Sequence, residues 1–355
     1  MITKKMNIFL ILFTFISVIT LYSARNILHE NLSNLYIKQL ILYLVGFIIL
    51  NKLKINKLIF KKITFLYIIS VVSLTCLLIF TKPINNAKCW FSIPFIGTIQ
   101  PSEFVKIILV IFTSIILTSQ SKFKYLKVFF IFLIPAILTY LEPDTGLLII
   151  YIIGTLGTLF AYIKKPKYII IVLTILLTIL GIILYLYFYD QYLLESVLGH
   201  SFLIRLSRII NWKNQDGYQL NNALISIGIA GTNVFFNNIN NYFPEAHNDF
   251  IFATFASSFG YIFTILFIIL LLVFDLFLFN IAKDERNETY KIMEIGFISM
   301  LIYEQIQNIG MNIGLLPITG ITLPFISYGG SSLISFAIIL NIIKNSKEKG
   351  IRIPF

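Results

Sequence analysis

Apolar residues fall along this chain in long blocks, not in strand-like alternation or narrow amphipathic stripes. About ten runs stand out, at 7–24, 36–52, 60–80, 104–119, 125–141, 146–163, 168–189, 251–280, 292–312 and 329–343. A helix crossing the hydrocarbon core needs about 20 mostly apolar residues, because no water is present there to satisfy backbone N–H and C=O groups. The expected fold is all-α: a polytopic membrane protein of about ten transmembrane helices, with a large extracytoplasmic loop over about 190–250 between the seventh and eighth. The first run follows Lys4 and Lys5 like the core of a signal peptide. It lacks a small-x-small cleavage site and further spans follow, so it is expected to persist as a helix. No solenoid or inverted repeat is visible, and 1–355 reads as one transmembrane domain.

Composition narrows the class. The 355 residues are 58% hydrophobic and 12% charged, with a mean hydropathy of +0.88. A soluble domain carries about 25% charged residues, so a cytosolic enzyme, a secreted domain and a disordered chain are all excluded. A net charge of +12 would point to nucleic acid in a soluble protein. Here the cations cluster in short connections, as the positive-inside rule requires, and no nucleic-acid partner is expected. With the N-terminus inside, the inner segments collect Lys4 and Lys5; Lys52, Lys54, Lys57, Lys61 and Lys62; Lys122, Lys124 and Lys127; Lys164, Lys165 and Lys167; Lys283, Arg286 and Lys291; and Lys344, Lys347, Lys349 and Arg352. Elsewhere stand only Arg25, Lys38, Lys82, Lys88, Lys106, Arg205, Arg208 and Lys213. That asymmetry predicts two cytoplasmic termini. Cys76 and Cys89 form neither a metal-ligand spacing nor a disulfide framework, and three histidines cannot build a metal centre alone.

Four polar stretches interrupt the apolar pattern, and ionisable groups at membrane depth call for a functional explanation. Glu103 and Lys106 are three residues apart, which puts them on one helix face. They read either as a structural ion pair behind a Ser102 N-cap or as a polar wall facing a cavity. In Leu141-Glu-Pro-Asp-Thr-Gly146, Asp144 either caps the next helix or does chemistry. In Pro244-Glu-Ala-His-Asn-Asp-Phe-Ile-Phe252, Asp249 precedes a long apolar helix and would cap it. Equally, Glu245, His247 and Asp249 together suit general acid–base work. The fourth stretch, Asn308-Ile-Gly-Met-Asn-Ile-Gly-Leu-Leu-Pro-Ile-Thr-Gly320 with Leu323-Pro-Phe-Ile-Ser-Tyr-Gly-Gly-Ser-Ser332, is dense in Gly and Pro. Such irregular backbone is tolerated in a membrane only when buried in protein or lining a wet cavity. Glu304 and Asp275 also fall inside spans, and periodicity does not name their partners.

Taken together these stretches resemble the SEDS family of bacterial shape, elongation, division and sporulation proteins, typified by RodA and FtsW. The resemblance rests on Trp90-Phe with Gln100-Pro-Ser-Glu-Phe-Val-Lys106, the Pro143-Asp144 turn, Pro244-Glu with His247-Asn-Asp249-Phe-Ile-Phe, and Leu323-Pro with Ser327-Tyr-Gly-Gly-Ser-Ser, in that order along nearly the whole chain. It implies a peptidoglycan glycosyltransferase of the bacterial cytoplasmic (inner) membrane. Such an enzyme polymerises lipid II and releases undecaprenyl diphosphate, in partnership with a class B penicillin-binding protein and elongation-complex proteins. The family's essential loop carboxylate falls on Asp249, its Glu–Lys pair on Glu103 and Lys106, and its Pro-Asp carboxylate on Asp144. The carry-over to Arg205 and Arg208 is looser.

The chemistry suits these residue types. Asp249 would take the proton of the attacking sugar hydroxyl. Lys106, Arg205 and Arg208, or a bound divalent cation, would offset the charge on the departing diphosphate. His247 belongs to the same expected substrate-binding set. Glu142 stands where the family usually has Gln, Thr145 and Leu147 also differ, Ser257 and Ser258 replace frequent acidic residues, and Ile229–Asn241 is rich in Asn. Asn308-Ile-Gly-Met, Ile318-Thr-Gly and the lack of a long N-terminal extension resemble the RodA elongation branch, whereas Thr322-Leu-Pro-Phe-Ile-Ser leans towards FtsW. The competing functions are a lipid II flippase and a scaffold for other envelope proteins.

Overall fold

A computed structural model describes residues 2–28, 34–53, 60–83, 87–93, 97–211, 217–231 and 242–349; among these, the side chains of Asn26, Ile27, Leu28, Ser201, Arg208, Glu348 and Lys349 lie outside the description. Each of the ten apolar runs is a helix: α1 (Ile2–Leu28), α2 (Leu35–Lys52), α3 (Ile63–Phe80), α4 (Ser102–Thr118), α5 (Lys124–Leu141), α6 (Thr145–Tyr162), α7 (Pro166–Tyr189), α11 (Ile251–Lys283), α12 (Glu288–Asn312) and α13 (Gly330–Lys349). Between α7 and α11 lie α8 (Gln191–Leu198), α9 (His200–Ile210) and α10 (Tyr218–Ala230). Among the described residues seven of these helices, α1–α3, α5–α7 and α11, are long and apolar enough to cross a membrane. The other three long helices, α4, α12 and α13, carry buried polar residues instead.

Two features depart from the linear reading. The segment expected as a loop at 190–250 is largely helical, and α10 lies against α11 through Leu220, Ala223, Ser226 and Ala230. Its apolar positions therefore pack on protein as well as facing outward. A two-stranded antiparallel hairpin, β1 (Phe91–Ile93) with β2 (Gly97–Ile99), pairs Phe91 with Ile99 and precedes α4. Three-residue strands carry too little alternation to be read from sequence.

Helix α1 packs into the core. Met6, Leu10, Phe13 and Leu21 are buried in it, and Phe13 stacks on Phe325 and meets Phe274 edge-on. Helices α6 and α12 approach each other closely. A Cβ on Gly154 would fall 2.6 Å from Met300 Sδ, and one on Gly157 would fall 2.5 Å from Ser299 Oγ. Small residues let helices approach in a bilayer, where burial of apolar surface offers no extra drive. By contrast α7 buries only Tyr187 and turns its Ile and Leu side chains outward, as a lipid-facing helix does.

Helix α11 is broken at Gly260, whose φ of 74° is the left-handed conformation that glycine adopts without steric cost. On one side, Ile251–Phe259 is wholly buried; on the other, Tyr261–Lys283 carries most of the outward apolar residues. The break therefore sets the turn at 244–250 deep against α12 while the rest of the helix runs through lipid.

Candidate active site

The site is assembled along one face of α12. Glu304, Asn308 and Asn312 follow at intervals of four, so their side chains stack on one face of the helix, and all three are buried.

At the level of Glu304 the chain closes an ion-pair cluster. Lys106 on α4 places Nζ 2.6 Å from Glu103 Oε2 and 2.9 Å from Glu304 Oε1. The ammonium also lies 4.2 Å from the Phe336 ring centroid, and Ser335 Oγ donates to Glu103 Oε2 at 3.2 Å. Lys106 is 0% exposed. The expected Glu103–Lys106 pair thus forms, with Glu304 as a third member that only the fold could supply. Ser102 does not cap α4: Pro101 holds the N-cap position without a side-chain bond. The other intramembrane acid, Asp275, accepts from Gln305 Nε2 at 3.1 Å.

Asp144 does cap its helix, accepting from Leu147 N at 3.1 Å. It also takes Gln100 Nε2 at 2.8 Å, a partner that sequence reading missed. Burial, aided by the Glu103 charge, holds its carboxyl above the usual range. Gln100 N in turn accepts nothing and donates to Ser331 Oγ at 3.0 Å, tying this turn to the start of α13. Glu142 is fully buried, and among the described residues neither carboxylate oxygen has a hydrogen-bond partner. Desolvation, with the Asp144 charge behind it, pushes its pKa up to about 8.

Asp249 is arranged differently. It does not cap α11, whose N-cap position is Phe250 and carries no side-chain bond. Among the described residues no hydrogen bond or ion pair engages its carboxylate oxygens. It is partly exposed yet ringed by protein, and burial, then the Glu245 charge, pushes its pKa up to about 7. Opposite stands Gly320, at φ 71°, where an added Cβ would lie 3.5 Å from Asp249 Oδ2. The turn is pinned by its neighbours. Glu245 sits at φ 57° and its carbonyl accepts from Asn248 N and Phe250 N. Ser327 Oγ donates to Asn248 O at 2.7 Å, and Tyr328 N donates to His247 O at 2.9 Å. Backbone held in a sparsely populated conformation persists only when its surroundings over-determine it.

The Gly320 loop also links Asp249 to the Asp144 turn, since a Cβ on Gly146 would meet Ile321 at 3.0 Å and Thr319 O at 3.2 Å. Of the remaining expected residues, His247 lies with its ring 6.1 Å from that of Tyr328. Arg205 on α9 stands over the Tyr140 ring at 5.8 Å, with Nη1 buried and without a hydrogen-bond partner. The side chain of Arg208, all of Lys213 and most of the Asn-rich stretch lie outside the described residues. Among the described residues no three His, Cys, Asp or Glu side chains form a metal-ligand group.

An all-α polytopic membrane protein with acidic and amide side chains gathered on one buried helix face is the class that fold and site define. A family model described as a cell cycle protein, covering FtsW, RodA and SpoVE, matches residues 3–350, and the chain belongs to that family. It is 32% identical to a probable peptidoglycan glycosyltransferase FtsW of Buchnera aphidicola subsp. Baizongia pistaciae, over 90% of this chain and 85% of the relative. It is 30% identical to the peptidoglycan glycosyltransferase MrdB of Helicobacter pylori, over 73% and 68%. Among solved structures it resembles a chain of a peptidoglycan synthase complex, with a TM-score of 0.77, 19% identity and coverage of 96% and 98%. The rod shape determining protein RodA of Thermus thermophilus follows with a TM-score of 0.65, 20% identity and coverage of 96% of both chains. At such identities the structural likeness speaks to the fold.

Proposed function

We propose that the protein is a peptidoglycan glycosyltransferase that polymerises lipid II at the outer face of the bacterial cytoplasmic membrane, with both termini inside. The observation that carries this reading is the partly accessible Asp249 carboxylate facing Gly320, unpaired among the described residues. As general base it takes the proton of the acceptor sugar hydroxyl while that oxygen attacks the anomeric carbon of the donor. The bond from that carbon to the diphosphate oxygen breaks, and undecaprenyl diphosphate leaves with the electron pair. A pKa of about 7 suits the task, since a base poised near the working pH combines a usable ionised fraction with proton affinity. The Lys106 ammonium is enclosed by two carboxylates, which favours Arg205, whose Nη1 has no hydrogen-bond partner among the described residues, as the cation for the diphosphate. Asp144 and Glu103 serve through the polar wall that Gln100 and Ser335 extend. The polyprenyl tail lies against apolar helix faces.

The decisive experiment is glycan polymerisation from purified lipid II, with and without a class B penicillin-binding protein. Polymer from the native chain and none from Asp249→Asn supports the reading; polymer from Asp249→Asn removes the base assignment. We assign the protein to cell elongation, on Asn308-Ile-Gly-Met and Ile318-Thr-Gly. The FtsW name carried by its relatives favours division as the second reading. Complementation of RodA- or FtsW-depleted cells separates the two by which defect, rounding or filamentation, the gene corrects.

A further inference from the structure

We propose that Asn308 and Asn312 are positioning residues for the reaction: their side-chain amides hold the main chain of Asp249 so that its carboxylate faces Gly320. The inference rests on Asp249 being the base.

Among the described residues the Asp249 carboxylate has no bond of its own to fix it, so its location is inherited from the backbone that carries it. That backbone is held from α12. Asn308 Nδ2 donates to Asp249 O at 2.9 Å and to Ile321 O at 2.8 Å. Asn312 Nδ2 donates to the same Asp249 O at 2.8 Å and to Asn308 O at 2.8 Å. Both lone pairs of one carbonyl are therefore taken by two amides on a single helix face, and both asparagines are 0% exposed. Asn308 does more than hold the base, because its second donor fastens Ile321 beside Gly320 and so sets the Gly320 loop relative to Asp249.

Asn312 has a further task that separates two roles. Its Oδ1 accepts from Ala253 N at 2.9 Å, one of the first-turn N–H groups that a helix start leaves without an intrahelical partner. Helix α11 has no side-chain cap from its own segment, so Asn312 supplies one from another helix. A purely structural reading of Asn312 needs only this acceptor. The positioning reading needs the donors.

Asn312→Asp keeps the acceptor and loses the donors, whereas Asn312→Ala loses both and Asn308→Ala loses the two donors at Asp249 and Ile321. Displacing a catalytic group by about 1 Å costs on the order of 100-fold. Lipid II polymerisation by the full chain, expressed per folded molecule from size-exclusion chromatography, is expected to show kcat lowered about 10- to 100-fold in all three variants, with KM within about twofold. Asn312→Asp is expected to melt closer to the native protein than Asn312→Ala. The acid limb of the kcat–pH profile is expected to move in Asn308→Ala, since the dipoles next to Asp249 change. Native kcat in Asn312→Asp, or in Asn308→Ala, overturns the proposal and leaves Asn312 as a cap alone. Should one variant fail to fold, the other two decide. Polymerisation that survives Asp249→Asn would sink the base assignment itself, whatever the asparagine variants do.

Discussion

Around Lys106 three charged side chains from two helices are closed into one another, with an aromatic face and a hydroxyl completing the enclosure. One turn further along α12, about 6 Å, Asp249 keeps its carboxylate free of any partner among the described residues, while its carbonyl is bound twice. The first arrangement spends every charge on holding helices together. The second fixes the backbone and leaves the ionisable group available. A membrane protein needs both, because a lone charge in a low-dielectric interior either pairs or gives up its ionisation. Asp249 takes the second course, and its raised pKa suits the base role proposed for it.

If this contrast is right, the two clusters respond to substitution in opposite ways. Asp249→Asn is expected to lower polymerisation about 10²- to 10⁴-fold with little change in melting temperature. In the native enzyme kcat is expected to fall on the order of tenfold per pH unit below pH 7, because the base must be deprotonated and its pKa is about 7. A flat profile through pH 6 would break the assignment.

Lys106→Met is expected to do the reverse, destabilising the fold by about 3–5 kcal/mol because two buried carboxylates lose their shared cation. Thermal unfolding in detergent measures this, and Glu304→Gln in the same background should recover part of it. A Lys106→Met protein that melts normally but cannot polymerise would move Lys106 into the substrate site and dissolve the contrast.

Glu142 sharpens the comparison with a smaller effect. Its folded pKa, about 8, lies above its ordinary 4.5, so the neutral acid is the form that the fold prefers. Stability contributed by that group is fully present below pH 4.5 and is lost as pH rises to 8. Glu142→Gln should remove this dependence, because an amide does not titrate, so that the variant's stability relative to the native protein rises between pH 6 and pH 8. Melting curves of both proteins at pH 6 and pH 8 test it. The smallest effect belongs to Asp144→Ala, which is expected to lose about 0.5–2 kcal/mol for the α6 cap. An equal loss in Asp144→Asn would show that charge matters there beyond capping.

Legibility in the sequence followed the range of the forces involved. All ten helices could be located because a bilayer makes a local demand, enough consecutive apolar residues to cover one helix. The short hairpin at 91–99 and the helices within 190–250 escaped because they carry no such length signal. Asp249, Glu103, Lys106 and Asp144 could be singled out as polar groups in apolar surroundings. Whether Asp144 or Asp249 caps a helix could not be read, since both precede apolar runs; one does and the other does not. Gln100, Ser335 and Ser327 gave no signal; the four-residue spacing of Glu304, Asn308 and Asn312 was a signal of a polar helix face, passed over in the sequence reading.

By itself the amino-acid sequence determined the class of solvent this protein inhabits, where its helices run and which side chains are too polar to be there by chance. All of these depend on residues close together along the chain. Only the tertiary structure decided that Glu304 meets Lys106, that Asn308 and Asn312 grip the carbonyl of Asp249, and that Gly320 stands opposite its carboxylate. Those pairs are fixed by how helices pack in space, and helix packing is set by surfaces such as Gly154 and Gly157 against α12, not by spacing in the chain.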